Sequence, residues 1–284
     1  MLSPAPRQRP AAVTGVFASL LESRTGQQLD ANREWRIETA LKPVLRERGL
    51  ETLDQLAGEL LAARDKKVGN QIIDALLNQE TSFFRDAAVL DMVAEAVAKI
   101  QAPDLNRKVR IWSAGCSSGQ EPLSLAMLFA EQAVSEDKVP EIVATDISEA
   151  SVARGRAGRF SQFEIQRGLS VRRMMRWFET VGEDWVASSE LVRRVQFRQL
   201  NLVDDPLPIG RFDVILCRNV LLYFAPAMRR HVFARLAEVM RPGGLLVLGA
   251  GETVIGQTDA FRPSPTYRGL YEPTGQITRS SAAA

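Results

Sequence analysis

The sequence predicts an α/β protein, with a parallel, doubly wound sheet, a small helical domain before it and an insertion within it. Beyond about residue 108, short runs rich in β-branched and apolar residues alternate with helical stretches. Continuous apolar strands joined by crossover helices are typical of parallel sheets that are covered on both faces. Before that point, apolar residues recur at spacings of three and four, which is the period of an amphipathic helix.

The helical domain and its linker are predicted over residues 15–90. An apolar stripe begins at Val16 and Leu20, and similar stripes recur as far as Leu77. Gly49 marks a helix end inside this region, because glycine readily adopts the left-handed conformation that follows a helix. The proline-rich residues 1–14 and the tail 274–284 are expected to be disordered.

Five strand-like runs predict the sheet of a second domain over residues 91–273. They lie at 109–115, 142–147, 195–202, 212–219 and 244–250. Helices are predicted at 122–132, 148–157 and 225–240, between several of these runs. Pro122 and Pro226 suit the first turn of their helices, where a missing backbone N–H has no cost.

An arginine-rich stretch interrupts this alternation, and we interpret residues 158–198 as an insertion with its own small structure. From Arg154 to Arg198 there are ten arginines and five acidic residues. The excess of positive charge favours a partner helix rich in glutamate, since electrostatic complementarity speeds encounter. An ordinary solvated face, with arginine stems lying along apolar surface, is the alternative.

Composition excludes several classes of function. The net charge of +2 and the absence of a compact basic run argue against nucleic-acid binding. No apolar run approaches the roughly 18 residues of a membrane span, and no signal peptide is predicted. Cys116 and Cys217 do not make a disulfide framework, which favours a reduced, cytoplasmic protein. No metal site is predicted.

The segment "SAGCSSGQEP", residues 113–122, follows a strand and opens a helix. Gly115 and Gly119 allow the backbone to turn tightly and to approach a ligand at the helix N-terminus. Ser117 stands where the second glycine of G-x-G-x-x-G belongs, which disfavours a dinucleotide and suits a carboxylate or adenosyl ligand. A tight strand-to-helix turn without a ligand is the alternative.

Two further strand ends carry polar residues. Asp146 ends the strand in "ATDIS", where a carboxylate can accept hydrogen bonds from both ribose hydroxyls. A helix cap is the alternative, but Ser148 already suits that role. In "FDVILCRNVLLYF", Arg218, Asn219 and Tyr223 are expected to face the cleft beyond the strand. A capped strand end with the tyrosine in the core is the other interpretation.

Together these segments resemble a known family. The segments "QETSFFRD", "IWSAGCSSGQEPLSLAM", "ATDIS", "FRQLNL" and "FDVILCRNVLLYF" occur in this order. They are similar to the chemotaxis receptor methyltransferases, the CheR family, over about residues 15–255. The resemblance implies a Rossmann-like S-adenosylmethionine-dependent methyltransferase sheet, with a small N-terminal helical domain and an inserted β-rich subdomain.

The resemblance also implies site residues. Arg85 and Tyr223 are expected to be catalytic. The residues expected to bind S-adenosylmethionine, and its product S-adenosylhomocysteine, are Gln79, Thr81, Arg85, Gly115, Glu121, Asp146, Asn201, Leu202, Arg218 and Asn219. Gln79 departs from the family, whose members usually have asparagine two residues before the threonine.

The implied activity is methylation of glutamate side chains on the cytoplasmic helices of chemoreceptors, which forms methyl esters for sensory adaptation. A glutamate with a pKa of about 4.3 is ionised at neutral pH, so no general base is needed. The protein has to align the reactants and exclude water.

The resemblance leaves several features of partners and activity open. The stretch between Phe178 and Phe197 looks shorter than in members that dock a receptor C-terminal pentapeptide, so we do not expect that docking. We expect a monomer, and other chemosensory signalling proteins are further candidate partners. A methyltransferase of the same fold acting on another protein or a small molecule, and a non-catalytic cofactor-binding regulator, remain alternatives.

Overall fold

A computed structural model of the chain describes residues 11–29, 34–62, 66–101, 107–132, 138–204, 207 and 210–275. The described residues form two compact units. The first extends to Asn78 and includes Tyr223–Ala225, and the second comprises Gln79–Leu222 and the residues from Pro226 onward. The disorder predicted for residues 1–10 and 276–284 lies outside the described residues, whereas residues 11–14 are helical.

The first unit is helical, as the apolar periodicity predicts. In chain order it contains α1 (Ala11–Thr25), α2 (Glu34–Arg48), α3 (Leu53–Ala62) and α4 (Lys66–Leu76). Its core draws fully buried side chains from all four helices, among them Phe17, Leu41, Leu56 and Ile72. Arg48 links three of them, because its guanidinium donates to Glu59 at 2.7 Å and to Gln71 at 2.8 Å.

A short segment from late in the sequence also belongs to this unit. The backbone N–H of Gln28 donates to the carbonyl of Tyr223 at 2.7 Å, and Gln27 and Phe224 form an antiparallel bridge. The periodicity of the sequence does not predict this pairing, because it depends on contacts between residues that are far apart in the chain.

The second unit holds the sheet and the insertion. In chain order its elements are α5 (Ala87–Ile100), β1 (Arg110–Ala114), α6 (Gln120–Gln132), β2 (Glu141–Asp146), α7 (Glu149–Ala157), β3 (Arg159–Ser161), α8 (Gln162–Gln166), α9 (Val171–Trp177), β4 (Phe178–Val181), β5 (Asp184–Ala187), α10 (Ser189–Arg193), β6 (Val195–Gln199), β7 (Phe212–Cys217), α11 (Pro226–Val239), β8 (Met240–Leu248), β9 (Phe261–Pro263) and β10 (Leu270–Pro273). A 3-10 helix, Leu221–Tyr223, crosses from this unit into the first.

The central sheet has the order β6-β2-β1-β7-β8-β10-β9. The first five strands in this order pair in parallel, which confirms the predicted α/β fold. The chain runs outward from β1 through β2 to β6, then returns to β7 on the other side of β1. The strand order therefore reverses between β1 and β7, and ligands of open α/β sheets bind at the carboxyl ends of the strands beside such a reversal.

Two strands of this sheet were not predicted. β10 is antiparallel to both β8 and β9, so the sheet is mixed. Both β9 and β10 are short and end in proline, Pro263 and Pro273. Proline is tolerated near a sheet edge but removes the alternating apolar pattern by which a strand is recognised.

The insertion forms a separate three-stranded antiparallel sheet of order β3-β5-β4, together with α8, α9 and α10. Its predicted end at residue 198 is wrong. Val195 to Gln199 pairs in parallel with β2 over five residues, so it belongs to the central sheet. The insertion accordingly ends at Arg194, and the strand predicted from residue 195 overlapped the insertion as it was drawn from the arginine-rich composition.

Residues 79–90, which the prediction placed with the helical domain and its linker, belong to the second unit. The side chain of Phe83 is 1% exposed within the core of that unit. None of the helices in the described ranges combines the length and the apolar content that crossing a bilayer requires.

Candidate active site

The loop from β1 to α6 is a tight turn with three residues at positive φ. Gly115 has a φ of 79°, Ser117 of 50° and Gly119 of 95°. A Cβ atom on Gly115 would lie 2.5 Å from a methyl group of Val220, so both conformation and space require glycine there. Ser117 adopts the left-handed conformation without being glycine, which explains how the chain departs from G-x-G-x-x-G and keeps the turn.

Asp146, at the carboxyl end of β2, anchors this turn. Its Oδ2 accepts a hydrogen bond from the backbone N–H of Ser117 at 2.8 Å, and its Oδ1 accepts from that of Ser148 at 3.0 Å. Ser148 itself caps α7, since its hydroxyl accepts from the N–H of Ser151. The cap therefore does not depend on Asp146, and the half-buried carboxylate stands at the ligand-binding edge of the sheet.

Gln79 is tied to the same corner. Its backbone carbonyl accepts from the hydroxyl of Ser117 at 2.8 Å, and its Oε1 accepts from the hydroxyl of Ser151 at 2.7 Å. Beside them, the N–H of Leu200 donates to the carbonyl of Asp146 at 2.9 Å, which brings Asn201 and the buried Leu202 to this edge. The structure thus gathers Gln79, Gly115, Asp146, Asn201 and Leu202 at one corner, and their binding of the cofactor stays a prediction.

A second group of site residues meets at a buried guanidinium. Arg218 directly follows β7, and its side chain is 3% exposed. One of its Nη atoms donates to Glu121 at 3.0 Å and the other to Asp86. Glu121, on the first turn of α6, also accepts from the hydroxyl of Ser113 on β1 at 2.7 Å. The buried positive charge is paired on two sides, which such a group requires.

The turn "SFFRD" places Arg85 between two strained residues. Phe84 has a φ of 50° and Asp86 of 56°, and non-glycine residues in such conformations cost about 1–3 kcal/mol each. Among the described residues, the guanidinium of Arg85 donates a long hydrogen bond, 3.4 Å, to the carbonyl of Glu80. The guanidinium of Arg85 is therefore weakly held, while the backbone on either side is constrained.

The inserted subdomain supports this turn. Phe83 packs edge-to-face against Phe160 at 5.0 Å and Phe178 at 5.5 Å between ring centroids. The guanidinium of Arg173 lies 3.9 Å from the ring centroid of Phe84, whose N–H donates to the hydroxyl of Ser124 at 2.9 Å. These contacts supply the packing that stabilises two unfavourable backbone conformations.

A charged contact joins the insertion to the same region. Arg167 of the insertion pairs with Glu80 at 2.5 Å, and hydrogen bonding from Arg167 lowers the pKa of this carboxyl group. Glu80 is therefore ionised throughout the neutral range.

Two predicted residues are less closely connected with these groups. Tyr223 belongs to the first unit, where its hydroxyl accepts a hydrogen bond from the side-chain amide of Asn78. Thr81 is half-buried in the segment that leads to the Arg85 turn. Their roles, like those of the other site residues, stay predictions.

Neither cysteine is a candidate nucleophile. Burial raises the pKa of Cys116 well above the usual value for a thiol, and the nearby carboxylates of Asp146 and Glu121 raise it further. Burial does the same to the pKa of Cys217, assisted by Glu252 and Glu121. Both groups stay protonated at neutral pH, and a thiol reacts through its thiolate.

Sequence reasoning missed three polar residues of this region. Asp86 directly follows Arg85, and Ser113 lies on β1 just before the glycine turn. Glu252 follows β8 after a short loop, and its carboxylate accepts backbone hydrogen bonds from the loop that follows Arg218. The sequence signal that could have identified them is their position, since all three lie at or near segments that lead to the carboxyl edge of the sheet.

The family model described as "CheR methyltransferase, SAM binding domain" matches residues 79–270. The chain belongs to this family. It is accordingly an S-adenosylmethionine-dependent methyltransferase, which confirms the resemblance, the enzyme class and the cofactor inferred from the sequence. The match begins at Gln79, which is also the first residue of the unit that contains the central sheet.

Named relatives resemble most of the chain. A chemotaxis protein methyltransferase of Vibrio parahaemolyticus is 36% identical over 249 residues, covering 86% of this chain and 90% of that protein. Chemotaxis protein methyltransferase 1 of Pseudomonas aeruginosa is 32% identical, covering 87% of this chain and 92% of that protein. Chemotaxis protein methyltransferase Cher2 of Pseudomonas putida is 31% identical with the same coverage.

Proposed function

We propose that this enzyme methylates glutamate side chains on the cytoplasmic helices of chemoreceptors, and that it acts in the cytoplasm. The observation that carries the proposal is the family match over residues 79–270, together with relatives named chemotaxis protein methyltransferase that align over nearly their whole length. Methyl esters formed on receptors serve sensory adaptation, as the resemblance implies.

The described residues fit S-adenosylmethionine. Asp146 presents a carboxylate for the ribose hydroxyls at the end of β2, and the buried Leu202 supplies an apolar neighbour for the adenine. Glu121 and Arg218 form an ion pair at the reversal between β1 and β7, which is where a charged amino-acid portion can be bound. Gln79, Thr81, Gly115, Asn201 and Asn219 complete the proposed cofactor site.

Methyl transfer to a carboxylate requires no general acid or base from the protein. The cofactor supplies an electrophilic methyl group on a positively charged sulfur. A glutamate oxygen forms the new bond to carbon as the carbon–sulfur bond breaks, the electron pair stays on sulfur, and no proton moves. Arg85 is suited to orient the incoming carboxylate, because its guanidinium is weakly held and its backbone is fixed. We assign Tyr223 a positioning role by hydrogen bonding, not that of a base.

The test is methyl transfer from labelled S-adenosylmethionine to a panel of chemoreceptor signalling fragments. We expect label in an alkali-labile ester, mapped by mass spectrometry to glutamate side chains. Label that appears on another protein or a small molecule instead would assign the same fold to a different substrate. Cofactor binding without transfer to any acceptor would leave a non-catalytic regulator.

Arg85→Ala tests the catalytic assignment in the same assay. We expect the rate of transfer to fall at least tenfold, about 1.4 kcal/mol in the barrier, with cofactor affinity changed much less. Arg262→Ala is the matched control, because Arg262 on β9 is 65% exposed and lies 3.7 Å from its partner Glu272. A transfer rate for Arg85→Ala equal to that of the control would remove Arg85 from the reaction.

A further inference from the structure

The carboxylate of Glu252 gathers five backbone N–H groups. Its Oε2 accepts from Asn219 at 2.7 Å and from Gly249 at 2.8 Å. Its Oε1 accepts from the three following N–H groups of the same loop, those of Val220 at 3.0 Å, Leu221 at 2.8 Å and Leu222 at 3.3 Å. Hydrogen bonds to a charged acceptor are roughly twice as strong as neutral ones, so this one side chain dominates the local structure.

These donors would otherwise have no regular partner. The loop leaves β7, turns through Asn219 at a φ of 59°, and enters the 3-10 helix Leu221–Tyr223. The first N–H groups of a helix have no acceptor within that helix. Glu252 supplies the acceptor, and it is itself held close by, since its own N–H donates to the carbonyl of Gly249 at 2.9 Å.

Packing fixes the same loop from two sides. A Cβ atom on Gly249 would lie 2.7 Å from Nδ2 and 2.9 Å from the backbone nitrogen of Asn219, so the asparagine rests directly on the glycine backbone. On the other side, Val220 closes onto Gly115 of the cofactor turn. A shift of this loop would therefore displace Asn219.

We propose that Glu252 is a positioning residue for methyl transfer: it holds the loop 219–222 in the conformation that presents Asn219 to the bound cofactor. This inference rests on the proposed function, which assigns Asn219 to the cofactor site. Glu252 contacts neither the ribose-binding Asp146 nor its turn through a described hydrogen bond, so its effect falls on the end of the cofactor beside β7.

Glu252→Gln is the sharpest variant, because each carboxylate oxygen accepts from at least two N–H groups. In either orientation, the amide NH₂ of glutamine faces backbone donors in place of an acceptor. Glu252→Asp keeps the charge but shortens the reach by one methylene, and it provides a second variant if the glutamine form does not fold. Glu272→Gln is the control, because Glu272 bonds Ser264 at 2.7 Å between the outer strands.

Three measurements test the proposal. We expect amide hydrogen exchange at residues 219–222 to be at least tenfold faster in Glu252→Gln than in the wild type. The kcat for receptor fragments should fall at least tenfold, whereas the Kd for S-adenosylmethionine should change less than about threefold, because the Asp146 side is unaltered. The values for Glu252→Asp should lie between those of the wild type and of Glu252→Gln. Glu272→Gln should match the wild type in all three measurements.

Unchanged exchange, or a folded variant with unchanged kcat, would overturn the proposal. So would a loss of cofactor affinity that fully accounts for the loss of rate. If the wild type itself transfers no methyl group to any receptor fragment, the proposed function fails separately. The positioning role is then decided by S-adenosylhomocysteine, which should slow exchange of the 219–222 amides in the wild type and not in Glu252→Gln. Equal protection in both proteins would overturn it.

Discussion

Asp146 shows how one side chain can organise a site at the scale of a single residue. Its carboxylate accepts hydrogen bonds from the N–H groups of Ser117 and Ser148, so it stabilises the glycine turn before any ligand is present. We propose the same group as the acceptor for the ribose hydroxyls. Removing it should therefore weaken the cofactor site in two ways, by loss of contacts and by loss of the turn.

We predict that Asp146→Ala raises the Kd for S-adenosylmethionine at least 100-fold, because about two hydrogen bonds to a charged group are lost. Isothermal titration calorimetry measures this directly. Asp184→Ala is a suitable control, since Asp184 forms a half-exposed ion pair with Arg159 at 2.9 Å in the insertion. Unchanged affinity in the Asp146 variant would contradict the assignment of Asp146 to the ribose.

Residues of this kind are predictable in part. Asp146 and Gly115 could be proposed from the sequence because one ends and the other follows a clear strand within a known order of motifs. Asp86 and Glu252 could not, because their partners, Arg218 and the loop at 219–222, are distant in sequence. An isolated acidic residue in a loop has no pattern that reveals which N–H or guanidinium it will meet.

At the scale of elements, the insertion acts as a support for the Arg85 turn. Gly168 of the insertion lies directly against the backbone of this turn. Its φ is 103°, and a Cβ atom on it would lie 1.9 Å from the carbonyl oxygen of Phe83. The composition of the insertion suggested a surface for partners. The structure adds an internal role, because aromatic, charged and backbone contacts all converge on the segment from Glu80 to Phe84.

We predict that Gly168→Ala destabilises the protein more than Gly182→Ala. Gly182, between β4 and β5, also has a positive φ of 66°, but a methyl group added there would meet nothing within 4 Å. Gly182→Ala therefore reports the backbone cost alone, about 1–2 kcal/mol. The clash at Gly168 should add about 1–3 kcal/mol to the loss of unfolding free energy in urea. Equal losses of unfolding free energy in the two variants would show that the turn at Phe83 accommodates the added methyl group without cost.

At the scale of the whole molecule, the charge of the arginine-rich stretch from Arg154 to Arg198 is partly neutralised within the chain. Among the residues that the structure describes, five of its arginines form ion pairs, which are Arg154–Glu164, Arg159–Asp184, Arg167–Glu80, Arg173–Glu131 and Arg194–Glu190. Burial raises the pKa of Glu131, but hydrogen bonds from Arg173 and Trp177 outweigh it and leave the pKa lowered. Adjacent arginines can therefore differ in role, and Arg172 is the exposed neighbour of the paired Arg173.

We predict that Arg172→Glu slows association with an acidic receptor fragment about two- to tenfold at low salt, an effect that should vanish near 0.5 M salt. Its stability should not change. Arg173→Glu should instead lose about 1–3 kcal/mol of unfolding free energy, because it breaks a partly buried pair and the contact with Phe84. Stopped-flow binding measures the association rate and urea unfolding measures the stability, so together they distinguish the two variants. Salt-independent, unchanged association of the Arg172 variant would exclude this surface.

The sequence by itself determined the helical period of the first unit, the five parallel strands and the motifs of the cofactor site, because these depend on residues that are near one another in the chain. The tertiary structure alone decided the antiparallel pair β9 and β10, the end of the insertion at Arg194, and the placement of Tyr223–Ala225 with the helical unit. It also decided that Arg218 meets Asp86 and Glu121, and that Glu252 holds the loop beside Asn219. These features depend on hydrogen bonds and ion pairs between distant segments, whose partners are set by strand order and not by local pattern.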